Sequence, residues 1–271
     1  MNENNSSQLA ILVLSCDKYS DLWDDFFNLK ERFWSDCPYP CYLATDTVEY
    51  QRDGVQLIHF GNIRTWSICA RKALAQIPEP YIALFLEDAF IYKQIDTSVV
   101  SEDLKFFIDN KLDFLTLERN RMERGLTKDD ELAPHIWRIN RHRKYGIDTS
   151  AAIWEKEFLI RALEKEDCNA WQFEVNYCKE AESKEGLQGN ISFDDRQPFN
   201  ISPIEVVQLG KLSTDAIKFF HKSGYDIQSD RERMGRRQML YFRYRNRLEK
   251  VPFWGKIIRG ICKLFGIKFF S

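Results

Sequence analysis

Four short apolar segments constrain the fold of this chain most: LAILVLSCD, YPCYLATD, VQLIHFG and YIALFLEDAF. Each predicts a buried strand, because the apolar run is short and ends at polar residues or glycine. Between them, KYSDLWDDFFNLKERFW and TWSICARKALAQI repeat apolar residues at helical spacing. Continuously apolar strands are typical of a sheet covered by helices on both faces. The order strand, helix, strand, strand, helix, strand therefore predicts an α/β fold.

The pattern after Phe90 is less regular. SEDLKFFIDNKL predicts a helix capped by Ser101 or Asp103, and DFLTLERN predicts another strand. HIWRINRHRKYGIDTSAAIWEKEFLIRAL predicts a basic extended segment that leads into an amphipathic helix. NAWQFEVNYCKEAESKEG predicts a helix that begins near Asn169, and VVQLGKLSTDAIKFFHKSG predicts a strand, a glycine turn and a short helix.

Polar side chains follow two of the predicted strands where each strand ends. Glu87 and Asp88 come directly after YIALFL, and Ser15, Cys16 and Asp17 follow the first strand. Ligands of open α/β sheets bind outside the carboxyl ends of the strands, so these side chains are candidates for one binding site. A solvated strand end is the alternative for the two adjacent carboxylates.

Three details favour a site over a solvated strand end. The acid pair follows six apolar residues, it precedes Ala89 and Phe90 rather than turn residues, and Asp17 matches it on the first strand. Carboxylate oxygens suit Mg²⁺ or Mn²⁺, and such an ion neutralises a diphosphate. The pattern is typical of a sugar-nucleotide site.

Charge is distributed unevenly along the chain. The formal net charge is −2, yet residues 231–271 hold twelve Lys/Arg and two Asp/Glu. An apolar face at helical spacing lies among these cations and comprises Phe253, Ile257, Ile261, Leu264 and Phe265. This composition favours an interfacial helix on an anionic membrane surface. The alternatives are a helix docked on the protein's own core and a nucleic-acid contact; the acidic balance of the remaining chain argues against nucleic acid.

The sequence also predicts where the protein is found. The start MNENNSSQ has neither the basic end nor the apolar centre of a signal peptide, and no apolar run approaches the roughly 20 residues of a membrane-spanning helix. The seven cysteines are scattered without a CxxC pair, which predicts free thiols in a reducing compartment. We expect a cytoplasmic protein.

Several segments in their order resemble bacterial glycosyltransferases of capsule and lipopolysaccharide gene clusters, which have the GT-A fold. The segments are ILVLSCDKYSDLW with FFNLKERFWSDCPYPCYLATD, TWSICARKALAQIPEPYIALFLEDAFI, YGIDTSAAIWEKEFLIRAL with NAWQFE, and VVQLGKL, and they cover most of residues 9–226. The resemblance implies a mixed sheet flanked by helices, with a Rossmann-like nucleotide-binding half and an acceptor half. The domain would span residues 1–225, followed by a basic amphipathic, membrane-associating region at 226–271.

The resemblance also implies roles on the donor side. Ser15, Cys16 and Asp17 would line the nucleotide, and Glu87 with Asp88 would replace the acidic motif of the fold. That motif is usually Asp, any residue, Asp, whereas this chain has Glu-Asp-Ala, so Asp88 alone is expected as a ligand of Mn²⁺ or Mg²⁺. Without a metal, cationic side chains would have to stabilise the departing diphosphate. The candidates are Arg71 and Lys211, of which Lys211 directly follows a glycine; a solvated surface position is the alternative for both.

The acceptor side is expected in the second half of the chain. Trp171 and Glu174 are three residues apart and share one face of a helix. An inverting glycosyltransferase needs a carboxylate that takes the proton of the acceptor hydroxyl, and the resemblance points to Glu174 for this role. Trp171 could offer a flat surface to a sugar ring, and Tyr145 is expected beside it. Alternatively, Trp171 belongs to the core and Glu174 forms a helix salt bridge.

Together with the resemblance, the sequence predicts a glycosyltransferase that moves a sugar from a nucleotide-sugar donor to a lipid-linked saccharide acceptor in bacterial surface polysaccharide synthesis. The protein would be cytoplasmic and peripherally associated with the inner membrane. One alternative is a nucleotidyltransferase acting on a sugar phosphate, although the chain has no glycine-rich, lysine-bearing loop near its first strand. The other alternative is a non-catalytic GT-A-like partner subunit.

Overall fold

The computed structural model describes residues 8–63, 65–118, 130–140, 142, 146–183, 189–235 and 238. Tyr145 and, in the basic C-terminal region, residues 236, 237 and 239–271 lie outside these residues. The predictions made for them therefore stay predictions. Six of the seven cysteines lie in the described part, and all six are free thiols.

The first half of the chain forms four parallel strands with helices between them. The strands are β1 (Leu9–Leu14), β2 (Cys41–Thr45), β3 (Val55–His59) and β4 (Tyr81–Leu86). The helices are a 3₁₀ helix (Asp17–Leu22), α1 (Trp23–Phe33) and α2 (Trp66–Leu74). All six predicted elements are confirmed, and the strands are arranged in the order β3-β2-β1-β4.

The second half adds strands to the β4 side of this sheet. The strands are β5 (Phe114–Thr116), β6 (Glu131–Ala133), β7 (Ile136–Arg138), β8 (Ala152–Glu155) and β9 (Ile191–Asp194), and β10 (Val207–Gln208) with β11 (Lys211–Leu212) forms a separate hairpin. The helices are α3 (Thr97–Asp109), α4 (Lys156–Glu164), α5 (Ala170–Glu182) and α6 (Thr214–Lys222).

The complete sheet has nine strands in the order β3-β2-β1-β4-β8-β5-β9-β7-β6. Strand β8 is antiparallel to both β4 and β5, and β9 is parallel to β5. Strands β1, β4, β5 and β9 therefore all point the same way, and their carboxyl ends meet at one edge of the sheet. The expected mixed α/β sheet flanked by helices is confirmed.

The core has two layers, one on each face of the sheet. Leu9, Ile11 and Val13 of β1 face one apolar cluster, which includes Phe26 of α1. Alternate residues of the same strand face the other cluster, which includes Leu74 of α2. Every residue of β1 is buried because the strand has helices on both sides.

One local prediction in the second half is wrong. The cap of α3 is Asp96, whose carboxylate accepts a hydrogen bond from the backbone N of Ser98, whereas Ser101 and Asp103 lie inside the helix. The segment before α4 was predicted only as extended, and β8 was not foreseen as a central strand. This strand has four residues, and its pairing with β4 and β5 is not a local property of the sequence.

The described start of the C-terminal region packs against the domain. Asp25 of α1 is fully buried and accepts hydrogen bonds from the backbone N of Gln228 at 2.9 Å, the backbone N of Ser229 at 3.0 Å and the hydroxyl of Tyr225 at 2.7 Å. The structure therefore continues across the proposed boundary at residue 226. Among the described residues, no helix is both long and apolar enough to cross a membrane.

Candidate functional site

A cavity of about 380 Å³ lies at the carboxyl ends of β1 and β4. Leu14 pairs with Leu86 across these strands, so the residues that follow them emerge side by side. The walls come from the ends of both strands, the 3₁₀ helix, the first residues of α2 and α5, and the turn between β10 and β11. Of the predicted donor-site residues, the cavity brings together Ser15, Cys16, Glu87 and Asp88.

Glu87 and Asp88 form the acidic part of this cavity. The side chain of Glu87 is buried, with 8% of the residue exposed, and a turn after β4 leads directly to Phe90, which is fully buried. Burial, reinforced by the charge of Asp88, raises the pKa of Glu87 to about 8. Burial also raises the pKa of Asp88 to about 6. The alternative of a solvated strand end is wrong for Glu87.

Two further carboxylates continue the acidic edge toward the acceptor half. Glu118 follows β5 and accepts a hydrogen bond from the backbone N of Ala151 at 3.0 Å. Burial, together with the charges of Asp148 and Asp88, raises its pKa to about 7. Asp148 lies just before β8, and burial raises its pKa as well. Sequence reasoning missed both residues, although Glu118 follows its strand in DFLTLERN much as Glu87 follows YIALFL.

Glu174 lies beyond this row of acids, on α5. Its Oε1 accepts hydrogen bonds from the backbone N of Thr149 at 2.9 Å and from the Thr149 hydroxyl at 2.7 Å. Burial is the main cause of its raised pKa, and the charge of Asp148 adds to it. Its hydrogen-bond partner is thus on the loop before β8, rather than on its own helix as the salt-bridge alternative required.

Trp171 lies one turn before Glu174 and is 40% exposed, so the alternative that it belongs to the core is wrong. Helix α5 starts as predicted: Asn169 Oδ1 accepts from the backbone N of Gln172, and Gln172 Oε1 accepts from the backbone N of Asn169. The neighbouring Ala170 lines the cavity. Trp171 and Glu174 are not among the described residues that line the cavity, so the two predicted acceptor-side residues lie further along the helix whose first residue forms part of its wall.

Asp17 takes a different position from the one expected. Its carboxylate accepts hydrogen bonds from the Thr45 hydroxyl at 3.0 Å and from the backbone N of Thr47 and Val48, each at 2.9 Å. Burial acts to raise its pKa, but the hydrogen bonds from Thr47, Val48 and Thr45 lower it to about 2. Asp17 thus stabilises the loop after β2 and is not among the described residues that line the cavity.

The Ser15 hydroxyl, in the cavity wall, accepts a hydrogen bond from Trp23 Nε1 at 2.8 Å.

The two predicted phosphate-binding cations are paired elsewhere. Arg71 Nη2 binds Asp167 Oδ1 at 2.7 Å, and Lys211 Nζ binds Glu232 Oε1 at 2.6 Å. Neither side chain is among the described residues that line the cavity. Gly210, the residue before Lys211, lies in a hairpin turn with a φ of 73°. The conformation of this turn, rather than a close approach to phosphate, explains why the residue is a glycine.

Arg231 is a cation whose charge lowers the pKa values of both Glu87 and Asp88. Its side chain is 8% exposed. It binds both carboxylate oxygens of Asp21, and it donates to the carbonyl oxygens of Lys18 at 2.8 Å and Gly210 at 3.2 Å. Sequence reasoning missed it because it lies in a segment whose composition predicted a membrane contact.

The carboxylates of the cavity fit a metal ion only in part. Within the described ranges, no three His, Cys, Asp or Glu side chains are grouped so that they could hold a metal by themselves. Mg²⁺, however, is commonly held by one or two carboxylates, with substrate phosphates and water completing the shell. Asp88 and Glu87 can supply such a pair. The chemistry of the donor set thus fits a metal that arrives with a diphosphate.

No protein-family model and no curated protein matches the chain. Among solved structures, glycosyltransferase GlyE of Streptococcus pneumoniae TIGR4 is 10% identical, with 82% of this chain and 61% of that chain covered and a TM-score of 0.44. A cytidylyltransferase from Leptospira borgpetersenii serovar Hardjo-bovis (strain JB197) is 12% identical, with 67% and 74% covered and a TM-score of 0.40. S. aureus TarS is 12% identical, with 69% and 36% covered and a TM-score of 0.42.

The chain therefore spans about a third of TarS and less than two thirds of GlyE. All three TM-scores lie below 0.5.

Proposed function

We propose that the protein is a glycosyltransferase that moves a sugar from a nucleotide-sugar donor to a saccharide acceptor. The observation that carries this proposal is the lining of the cavity at the carboxyl ends of β1 and β4. Glu87 and Asp88, which follow β4, form its acidic part, and Ala170 contributes the start of α5, the helix that bears Trp171 and Glu174. Carboxyl ends of strands are where α/β sheets bind nucleotides.

Asp88, assisted by Glu87, would hold Mg²⁺ or Mn²⁺ beside the donor diphosphate. When bound, such an ion neutralises the charge that develops on the departing nucleoside diphosphate. This role is supported by the absence of Lys and Arg from the described lining of the cavity, since a diphosphate beside two carboxylates needs a compensating cation. Arg231 donates hydrogen bonds to Asp21, Lys18 and Gly210, so its charge acts on the cavity mainly at a distance.

Glu174 is the proposed general base. In an inverting transfer, the acceptor oxygen forms a bond to the anomeric carbon as the bond to the diphosphate breaks, and the acceptor proton passes to a carboxylate. The raised pKa of Glu174 makes it a stronger base than an ordinary glutamate. Thr149 holds one carboxylate oxygen in place. The exposed ring of Trp171, one turn away on the same helix face, offers a flat surface for the acceptor sugar.

The acceptor is proposed to be a lipid-linked saccharide of bacterial surface polysaccharide synthesis. This part of the proposal is supported by the family resemblance of the sequence and by the basic amphipathic composition of residues 231–271. Contact of that region with the anionic inner face of the membrane would bring the cavity to such an acceptor.

The product that is released distinguishes this proposal from its two alternatives. The purified chain is incubated with Mn²⁺ and a panel of nucleotide sugars, with and without an extract of membrane saccharides as acceptor. A parallel incubation contains nucleoside triphosphates and sugar phosphates, and thermal shift measures the binding of each nucleotide. Release of a nucleoside diphosphate that depends on acceptor supports the glycosyltransferase. Release of pyrophosphate from a nucleoside triphosphate and a sugar phosphate would support the nucleotidyltransferase. Failure to bind any nucleotide or nucleotide sugar would favour a non-catalytic partner subunit.

A further inference from the structure

The turn between β10 and β11 has an unusual residue at its first central position. Gln208 pairs with Lys211, which leaves Leu209 and Gly210 as a two-residue hairpin loop, with φ values of 50° and 73°. Positive φ at both positions is the requirement of a type I′ turn, which strongly prefers Asn-Gly. Gly210 meets this preference. Leu209 does not, because a branched apolar side chain is unfavourable in the left-handed region.

Burial within the protein does not compensate for this conformation. Leu209 is 75% exposed, the most exposed of the three large apolar side chains that stand out on the described surface. The other two, Val48 and Trp171, are 39% and 40% exposed. Leu209 is also the one of the three that lines the cavity. An exposed apolar side chain in an unfavourable backbone conformation at a cavity is typical of a group that meets a ligand.

The protein holds this turn in place from its C-terminal side. Arg231 Nη1 donates to the carbonyl oxygen of Gly210 at 3.2 Å. The backbone N of Leu212 donates to the carbonyl oxygen of Glu232 at 2.9 Å, and the backbone N of Met234 donates to that of Leu212 at 2.9 Å. The position of Leu209 over the cavity is therefore fixed by the fold.

The chemistry of the cavity indicates which part of a ligand Leu209 would meet. The carboxylates lie at the end of β4, where a metal-bound diphosphate would be held. Tyr19 and Trp66 give the remaining lining an aromatic character, which suits a flat ring. We propose that Leu209 is a donor-binding residue that packs on the nucleobase and covers it at the cavity mouth. This inference rests on the proposed nucleotide-sugar site.

The test uses three variants of the full chain. Leu209→Asn creates the Asn-Gly pair that the turn prefers but removes the apolar contact, Leu209→Met retains an apolar side chain, and Val48→Ala truncates an exposed apolar residue that does not line the cavity. Wild type is first screened by thermal shift with Mn²⁺ and UDP, dTDP, GDP, CDP or ADP. Calorimetry then gives the Kd of the most stabilising diphosphate for each variant.

We expect Leu209→Asn to raise the Kd of the diphosphate about tenfold, because most of the apolar contact that buries the leucine side chain is lost. Its Tm without ligand should stay the same or rise. The Kd values of Leu209→Met and Val48→Ala should stay within about threefold of the wild-type Kd. Unchanged affinity in Leu209→Asn would overturn the inference, as would a fall in its ligand-free Tm, which would show a structural role. An equal loss in Leu209→Met would also overturn it. A wild-type chain that binds none of the five diphosphates would overturn the donor site itself, and this inference with it.

Discussion

The guanidinium carbon of Arg231 lies 4.3 Å from the centroid of the Tyr19 ring, while its nitrogens bind both carboxylate oxygens of Asp21. Tyr19 lines the cavity, and Arg231 lies more than two hundred residues further along the chain. The same guanidinium also holds the turn at Gly210. One side chain thus joins the C-terminal segment to two walls of the proposed donor site.

We expect Arg231→Gln to lower the free energy of unfolding by about 2–4 kcal/mol, because it leaves Asp21 without its charged partner in a largely buried position. Lys211→Gln is the matched control: it also removes an ion pair of this region, but Glu232 is 73% exposed there, so the loss should be below about 1 kcal/mol. Urea unfolding of both variants measures the difference. Similar losses in the two would contradict the role assigned to Arg231.

Glu174→Gln should lower the rate of sugar transfer by about 100-fold or more, the range of general base catalysis. The amide oxygen of glutamine can still accept from Thr149, so the Tm and the donor Kd should stay close to wild type. Thr149→Val, which removes only the hydroxyl donor to Glu174, should have a much smaller effect on the rate. Initial rates at saturating donor give the comparison, and a fully active Glu174→Gln would exclude Glu174 as the base.

A buried carboxylate outside the site predicts how stability depends on pH. Burial, with the charge of Asp194 second and Arg196 opposing, raises the pKa of Asp103 from 3.8 to about 8 in the folded protein. The folded state then binds the proton more tightly than the unfolded state. The contribution of Asp103 to stability is therefore complete below pH 3.8 and is lost as the pH rises toward 8.

Asp103→Asn isolates this contribution from that of the other buried acids, because asparagine does not titrate. As the pH rises from 5 to 8, the unfolding free energy of wild type should fall relative to that of Asp103→Asn. This range covers most of the interval between the ordinary pKa of 3.8 and the raised pKa of about 8. Urea midpoints at the two pH values provide the measurement. A difference that does not change with pH would show that Asp103 keeps its ordinary pKa.

The sequence predicted the first half of the fold well because its strands are continuously apolar and lie between amphipathic helices. The same pattern placed Glu87 and Asp88 at the right edge of the sheet, since that position follows from strand direction alone. Strand β8 was missed because a short antiparallel strand is defined by its partners, β4 and β5, rather than by its own periodicity.

The partners of the charged residues could not be predicted from the sequence, because they too lie in distant parts of the chain. Asp17, Arg71 and Lys211 were each assigned to the donor by local context, yet each has a protein partner far away in the chain. Arg231 was assigned to a tail by composition. Ion pairing depends on the tertiary structure, and the local sequence carries no signal for it.

The most direct test of the donor site compares the Tm of wild type and Asp88→Asn with nucleoside diphosphates, in the presence of Mn²⁺ or a chelator. A ligand that binds only the native state raises the apparent stability. The account predicts that one diphosphate with Mn²⁺ raises the Tm of wild type, that the chelator removes this increase, and that Asp88→Asn lacks it while keeping its ligand-free Tm. An increase of equal size in Asp88→Asn, or none in wild type, would contradict it.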